Sequence, residues 1–301
     1  MKKFFISAMV LLAGLSVHAQ LVEINSMSRV ALPEGMIVSV PTISPDGSFV
    51  VVSDARNSAL TKIDLENGAT SQVAANASGY DVKISADGRN VVYREFSTGK
   101  NNLRYTALKS ADLTTGKTEV LVKPTRKLNA GMEMAGSTVT AVENGRTRTV
   151  ALNGSKATAP KVAASINYGH LDITVNGKTT TIDPQGRGSY LWPSVSPDGT
   201  KVVYYLAGRG CYVCDIDGSN SVALGMLRAA KWLNNEMIVG MNDTDNGEYV
   251  TSSSLIASDL KGKRQTLTDS SLLAMYPSVD AQGNRIAFAT ADGQLFIINL
   301  K

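Results

Sequence analysis

A turn pattern that ends in Asp-Gly, or a close variant of it, recurs along this chain and constrains its fold more than any other feature. Copies lie at 41–47, 80–88 and 193–199, a degenerate copy lies at 276–283, and a short apolar run follows each one. In such a segment proline presets the backbone for a turn, aspartate hydrogen-bonds its own backbone, and glycine accepts a positive φ. Each copy therefore predicts a β-hairpin of two adjacent strands.

A second kind of turn follows each hairpin and also ends in glycine. Its glycines are Gly68, Gly116, Gly177, Gly218 and Gly262. The next turn of the first kind comes 17 to 22 residues after each of them, and this regularity exposes two weakened copies, at 134–137 and 232–235. The chain thus contains six first turns, each of which opens a unit of four strands.

These six units define the expected architecture. Six units in the chain correspond to about 47 residues per unit, which is close to the length of a propeller blade. We therefore expect an all-β fold, a six-bladed β-propeller, in which residues 143–168 form a hairpin inserted in the third blade. Asn153-Gly154 offers a further turn, so a seven-bladed ring is the alternative.

The ends of the chain predict how the ring closes. Residues 294–300 read as the third strand of the last unit, and its fourth strand is missing. An apolar segment near the other end, 21–24 or 29–32, is available to pair there and remove the open sheet edge. Residues 20–301 are accordingly expected to form one domain.

Residues 1–19 have the features of a secretory signal peptide. Lys2 and Lys3 precede an apolar run of 14 residues, which is shorter than the roughly 20 residues needed to cross a bilayer. Cleavage after Ala19 would leave Gln20 at the new terminus, and glutamine cannot accept the lipid that anchors bacterial lipoproteins. We expect a soluble, exported protein of the periplasm, without membrane insertion.

Charge and histidine content exclude several classes of function. Loss of the two leader lysines lowers the formal net charge from +4 to +2, too little to attract nucleic acid. Outside the leader His170 is the only histidine, which excludes a multi-histidine zinc site and makes any His-based triad depend on one residue. The sequence therefore predicts no catalytic residues, no metal site and no cofactor.

The Ser-Pro-Asp-Gly segments resemble the PD40, or WD40-like, repeats of TolB-like β-propellers, and 190–199 carries the best match. The resemblance covers the propeller portion of that family only. It implies the propeller fold. It also implies a choice of roles, since such propellers serve as secreted binding modules, as the periplasmic TolB component of the Tol-Pal system, and as appendages of prolyl-oligopeptidase-type hydrolases.

Two local motifs suggest chemistry but are better explained by structure. Cys211 and Cys214 have redox or zinc spacing, yet on a predicted strand they face opposite sides, so we interpret them as packed side chains. Residues 242–248 resemble a calcium loop whose ligand positions are mostly not acidic, which indicates a long polar hairpin. A weak ion held by Asp243, Asp245 and Glu248 is the alternative there.

The candidate binding residues are mostly aromatic and precede turns of the first kind, which places them near the innermost strands. There they either line the mouth of the channel or pack between blades. A lone histidine and two glycine-flanked arginines on loops complete the set. The candidates are Tyr80, His170, Arg187, Tyr190, Trp192, Arg209, Trp232 and Tyr276.

The fold, the leader and the lack of catalytic motifs together predict a non-enzymatic, monomeric module that binds another protein of the cell envelope. Loops lengthened beyond the repeat, at 95–106, 143–168 and 242–252, are expected to form one binding face with the Arg187 connection. The alternatives are a glycan- or peptide-binding sensor and a hydrolase or lyase with its site in the channel.

Overall fold

A computed structural model describes residues 20–154, 156 and 160–301. The predicted signal peptide, with its cleavage site after Ala19, lies outside these residues apart from Gln20. The described chain forms 26 strands in seven sheets and one short 3-10 helix, Ser270–Leu272. Within the described ranges, no helix is long and apolar enough to cross a membrane. The fold is an all-β propeller, as predicted.

Strand β1 (Ile24–Arg29) comes first and belongs to the last blade. The strands of blades one and two are β2 (Val38–Ile43), β3 (Phe49–Asp54), β4 (Ala59–Asp64), β5 (Thr70–Ala75), β6 (Ala77–Ile84), β7 (Asn90–Thr98), β8 (Arg104–Asp112) and β9 (Thr118–Thr125). Those of blades three and four are β10 (Glu133–Ala135), β11 (Thr138–Glu143), β12 (Arg146–Ala151), β13 (Val162–Asn167), β14 (His170–Val175) and β15 (Lys178–Thr181). Those of blades five and six are β16 (Tyr190–Val195), β17 (Lys201–Leu206), β18 (Gly210–Asp215), β19 (Val222–Gly225), β20 (Arg228–Trp232), β21 (Met237–Asp245), β22 (Val250–Asp259) and β23 (Arg264–Thr266). Blade seven contains β24 (Ala274–Val279), β25 (Arg285–Thr290) and β26 (Leu295–Leu300).

The ring closes through an N-terminal strand, as predicted, but this strand is Ile24–Arg29, which lies between the two segments expected from the sequence, 21–24 and 29–32. The order in the last sheet is β1-β26-β25-β24, so the N-terminal strand supplies its outermost position. Met27 lies opposite Ile298 in this pair, and Val22, Ile24 and Met27 pack against the apolar core of the blade. The side chain of Gln265 in blade six also hydrogen-bonds the backbone of Val22. Closure therefore removes a free sheet edge and buries apolar surface.

The number of blades is seven, the alternative count, and the six-bladed reading is corrected. Residues 143–168 do not form an inserted hairpin, because β12 pairs with β11 and β13 pairs with β14 in two separate sheets. The six strands expected for one enlarged blade are instead divided into two three-stranded blades. Each added strand covers a neighbour that is buried, so β12 and β13 are integral strands of their blades.

Backbone hydrogen bonds identify which strands these two blades contain. Leu152 N–H donates to Ser137 C=O as Leu65 N–H does to Ser48 C=O in blade one, so β12 is a third strand. The bond from Asn176 N–H to the C=O of residue 161 likewise identifies β13 as a second strand. Over the described residues, blade three thus has no outermost strand and blade four no innermost one.

The recurring first turn is held by one side-chain network. Ser44 Oγ donates to Asp46 Oδ1 (2.6 Å), which also accepts the N–H of Ser48 (3.0 Å), and Ser44 Oγ in turn accepts the N–H of Phe49. Gly47 completes the turn at a positive φ of 71°. The same bonds occur in the turns of Asp87 and Asp198. This explains why serine precedes aspartate by two residues in each copy.

The apolar core is divided into six clusters, each between adjacent blades. None of these clusters lies between blades three and four. By strand alternation Thr140 and Asp172 face this interface, and both are buried. Asn129 Nδ2 donates to Ser165 Oγ across it (3.3 Å). The two three-stranded blades therefore meet along a polar seam.

The connections between strands lie at the two ends of the channel, and each kind of connection is found at one end. Innermost strands start at the same end as the turns between second and third strands, since Val38 N–H donates to Gly293 C=O and Tyr190 N–H to Gly169 C=O. We call this end the upper mouth. The recurring Asp-Gly turns lie at the lower mouth.

Candidate functional site

The innermost strands are kinked where they line the channel. In five blades the register with the second strand shifts at one point, which marks a β-bulge. A non-glycine residue with positive φ lies at each bulge: Val40 (41°), Asp81 (59°), Trp192 (49°), Ala229 (50°) and Tyr276 (53°). Left-handed backbone is costly for such residues, and its repetition around one channel marks the channel as a candidate site.

Below the bulges one residue from each of these blades occupies an equivalent position. Each pairs with the second strand of its own blade at the first position after the register shift, and each lines the cavity. We call this set the polar ring. Its members are Thr42, Lys83, Ser194, Lys231 and Ser278. The ring brings two lysines into one channel, which the sequence did not predict.

The channel contains a cavity of about 590 Å³. This volume lies in the range of small-molecule sites. Its wall combines aromatic rings, the prolines that follow the bulges, the polar ring and several charged side chains. In blade three Gly131 lies against the backbone of blade four, where a Cβ atom would come within 2.9 Å of Ala164 O. Only glycine allows that close approach at a φ of 89°.

Ion pairs organise one side of the wall. The guanidinium of Arg94 pairs with Asp81 (3.2 Å) and donates to the C=O of Asn129 (2.7 Å), which ties blade two to blade three. Lys83 pairs with Glu133 (3.3 Å). Burial opposes the charged form of Lys83, but Glu133 and Asp81 outweigh it and raise the pKa of the lysine. Lys83 is therefore fully charged at neutral pH.

Lys231 differs from Lys83 in its surroundings. Among the described residues, none forms a hydrogen bond or an ion pair with its side chain. Burial, and after it the positive charge of Lys83, lower the pKa of Lys231, while Asp81 and Glu133 oppose the change. The two lysines approach the channel from blades six and two and repel one another. Within the part of the chain that the structure describes, the ammonium group of Lys231 therefore has no direct ion-pair partner, and Asp81 and Glu133 only partly offset the effects of burial and of Lys83.

The predicted aromatic residues are divided between channel and core. Tyr80, Trp192, Trp232 and Tyr276 line the cavity, whereas Tyr190 is fully buried between blades four and five. The hydroxyl of Tyr80 donates to that of Tyr276 (3.1 Å), and their rings meet edge to face at 5.5 Å. Because these residues belong to blades two and seven, their contact spans blade one at the upper mouth.

The other three predicted residues lie at the upper mouth, His170 as the first residue of β14 and the two arginines on connections. His170 Nδ1 contacts Asp183 Oδ2 (2.5 Å), and no described serine or cysteine hydrogen-bonds its Nε2. Arg209 donates to Gln185 C=O (3.0 Å). Arg187 is exposed on the connection between blades four and five. None of the three lines the cavity.

A buried ion pair supports the upper mouth at blade six. Arg228 donates to Asp243 (2.6 Å), whose side chain is 1% exposed, and one oxygen of that carboxylate has no hydrogen-bond partner. Burial raises the pKa of Asp243, and Arg228 counteracts it. The pair anchors the base of the β21–β22 hairpin, which is the long hairpin predicted at 242–252. Its tip is closed by side-chain turns of Asp245 and Asn246.

Exposed apolar side chains concentrate at the upper mouth. Within the described chain eight large hydrophobic side chains are exposed, and six of them lie there. The six are Ile37, Tyr80, Leu103, Tyr168, Met226 and Tyr249. The other two, Val120 and Val222, lie on the outermost strands β9 and β19.

Charge is unevenly distributed around the same mouth. On the connections and strand ends of blades two to five the exposed charged residues are Lys100, Arg104, Arg126, Lys127, Arg146, Arg187 and Arg209, all basic. On blades six, seven and one the exposed acidic residues are Glu34, Asp245, Glu248, Asp269 and Asp292. The exposed basic residues there are Arg29 and Arg56. The mouth therefore has a basic arc and an acidic arc.

The two motifs that suggest chemistry take structural positions. Cys211 packs in the cluster between blades five and six and Cys214 in the one between four and five, on opposite faces of β18 as predicted. Burial raises the pKa of both thiols to about 12. In the described parts of the chain, no group of three or more His, Cys, Asp or Glu is placed to hold a metal ion.

Comparisons with known proteins support the fold. No family model matches the sequence, and no curated protein matches it either. The structure is similar to a chain of a mitotic checkpoint complex (TM-score 0.65, 12% identity, 97% of this chain and 100% of that one). It is also similar to U3-55K (TM-score 0.65, 8% identity, 92% of this chain and 99% of that one).

A third similarity is to TolB from Acinetobacter baumannii (TM-score 0.51, 15% identity). It covers 81% of this chain and 57% of that one, so the match spans part of the longer protein. At such low identities these similarities establish the β-propeller and leave the function open.

Proposed function

We propose that this chain is an exported, non-enzymatic binding module of the cell envelope, and that it docks another envelope protein against its upper mouth. The location of six of the eight exposed large hydrophobic side chains at that mouth carries the proposal. Exposed apolar patches on a folded domain mark interaction sites, and aromatic residues such as Tyr168 and Tyr249 are enriched in interface cores.

Charge gives the docking a direction. A partner with an acidic patch would meet the basic arc of blades two to five, and its basic side chains would meet the acidic arc. Two arcs of opposite sign fix the rotation of the partner about the channel axis. A mouth of one sign would not do so.

The two long hairpins support the same surface. The β7–β8 and β21–β22 hairpins extend beyond the six-residue strands of most blades and carry Leu103 and Tyr249 at their tips. A rigid scaffold that displays side chains on extended loops is the usual arrangement of a propeller binding face. The predicted export to the periplasm and the monomeric state belong to this proposal.

The experiment is affinity capture from an envelope extract with matched variants. Leu103→Ser and Tyr249→Ser remove apolar side chains from the upper mouth, while Val120→Ser and Val222→Ser remove exposed side chains from outermost strands. The proposal predicts that one or more proteins captured by the unmodified chain are lost with the mouth variants and retained with the controls. Equal capture by both sets would overturn it.

A further inference from the structure

Lys231 is the charged side chain of the channel that the described residues leave without a partner. Arg94 and Lys83 each form an ion pair with a carboxylate. Asp280 accepts hydrogen bonds from backbone N–H groups of its own turn. An ammonium group in a confined cavity loses hydration, and this cost is repaid only by an opposite charge or by hydrogen bonds.

The polar ring places suitable neighbours beside this lysine. Ser194 and Ser278 occupy the equivalent positions of the two adjacent blades, and Lys83 approaches from the far side of the channel. Ser278 Oγ accepts the N–H of Ile43 (3.0 Å), which leaves its proton free to donate. An anion at this level would meet Lys231 together with hydroxyl donors and would relieve the repulsion between the two lysines.

The cavity above the ring is larger than an inorganic ion requires. Trp192 and Tyr276 line this volume of about 590 Å³, and each precedes its polar-ring residue by two positions on the same strand. Such a wall accepts an apolar body, and the ring below accepts a charged group. The cavity is therefore amphipathic.

We propose that the channel binds a small organic anion. The carboxylate or phosphate group of the anion contacts Lys231 and its neighbours in the polar ring, and the apolar body of the anion packs against Trp192 and Tyr276. This proposal rests on the channel cavity and does not require that a protein docks at the upper mouth. The lowered pKa of Lys231 agrees with it, since burial and Lys83 disfavour the charged lysine and a bound anion would favour it.

The two tryptophans of the chain make the test direct, because both Trp192 and Trp232 line the cavity. The purified chain is titrated with cyclohexanecarboxylate, cyclohexyl phosphate and the neutral cyclohexanecarboxamide, with tryptophan fluorescence and calorimetry as readouts. We expect saturable binding of at least one anion, tighter than that of the amide, and the tighter anion identifies the charged group. Anions that bind no better than the amide would overturn the proposal.

Variants assign the site to Lys231. Lys231→Met should lower the affinity for the anion by about tenfold or more, as expected for loss of a charged hydrogen bond. Lys231→Arg should retain part of the affinity. Lys178→Met, at an exposed lysine of β15, is the matched control and should bind as the unmodified chain does. Lys231→Gln replaces the methionine variant if melting shows that the latter is unfolded. Unchanged affinity in a folded Lys231 variant would contradict the assignment.

Discussion

Ala130 and Ile166 exchange both of their backbone hydrogen bonds, with N···O distances of 3.1 and 2.6 Å. Ala130 precedes the innermost strand of blade three, and Ile166 lies on the free inner edge of blade four. Through this pair the inner segment of blade three also closes the edge that blade four would otherwise expose. The pair explains how two three-stranded sheets continue the ring without a break.

Replacing residues 146–167 with an Asn-Gly turn should destabilise the protein. The change removes β12 and β13, exposes the edges of β11 and β14, and deletes the buried Leu152. Circular dichroism and thermal melting should show loss of the cooperative transition or a marked fall in Tm. As a control, an Asn-Gly replacement of 245–249 at the tip of the β21–β22 hairpin should leave Tm nearly unchanged. A native-like melt of the first variant would restore the inserted-hairpin interpretation.

Deleting residues 20–29 should open the ring at blade seven. The half-buried side chains of Val22, Ile24 and Met27 lose their packing, about 1 kcal/mol each, and β26 gains a free edge. We expect a lower Tm and oligomers on size-exclusion chromatography. Asn25→Ala changes an exposed side chain of the same strand and should behave as the full chain does. Identical melting of the deletion and the full chain would mean that β1 contributes nothing to closure.

The turn aspartates should make stability depend on pH in acid. Hydrogen bonds from Ser44 and Ser196 are the main cause that lowers the pKa of Asp46 and Asp198 below 3.8. A carboxylate whose pKa is lower in the folded state than in the unfolded state stabilises the fold at any pH above its unfolded-state pKa. This stabilisation is lost as the pH falls below 3.8 and through the folded-state pKa. The double variant Asp46→Asn and Asp198→Asn should therefore be less stable at neutral pH and differ least at the most acidic pH. Denaturant melts across this range test the prediction, and a difference that grows in acid would refute it.

Arg228→Met should leave Asp243 as an uncompensated buried carboxylate. We expect a loss of about 3 kcal/mol at neutral pH, because removing one partner of a buried pair exposes the desolvation cost of the other. Burial already raises the pKa of Asp243 above 3.8, so protonation stabilises the folded state, and the variant should recover stability as the pH falls. Adding Asp243→Asn should restore much of the loss at neutral pH. Independent, additive effects of the two substitutions would show that the pair is not coupled.

The parts of the fold that sequence could predict are those determined locally. A turn such as 41–47 carries its own serine, aspartate and glycine, so its structure is written in consecutive residues. The division into seven blades depends instead on which sheet β12 joins. This is decided by the pairing of β12 with β11 and by the backbone hydrogen bonds between Ala130 and Ile166 across the seam. The lone Asn153-Gly154 turn was the signal for it, since Leu152 takes the position of Leu65 in blade one.

The channel site was only partly visible in the sequence. Aromatic residues before the turns indicated the channel wall, although Tyr190 is a core residue. Lys83 and Lys231 were missed because their equivalence depends on strand register, and Lys231 precedes a turn that has lost the Asp-Gly signature. Comparing positions a fixed distance before each turn would have placed both on one ring.

Docking at the upper mouth is tested most directly by site-specific photo-crosslinking in the envelope. A photoreactive residue is placed at Tyr168 on the upper mouth, or at Val222 on an outermost strand as the control. The account predicts a defined crosslinked partner from position 168 and none from position 222. A partner crosslinked from 222 and not from 168, or from both equally, would contradict it.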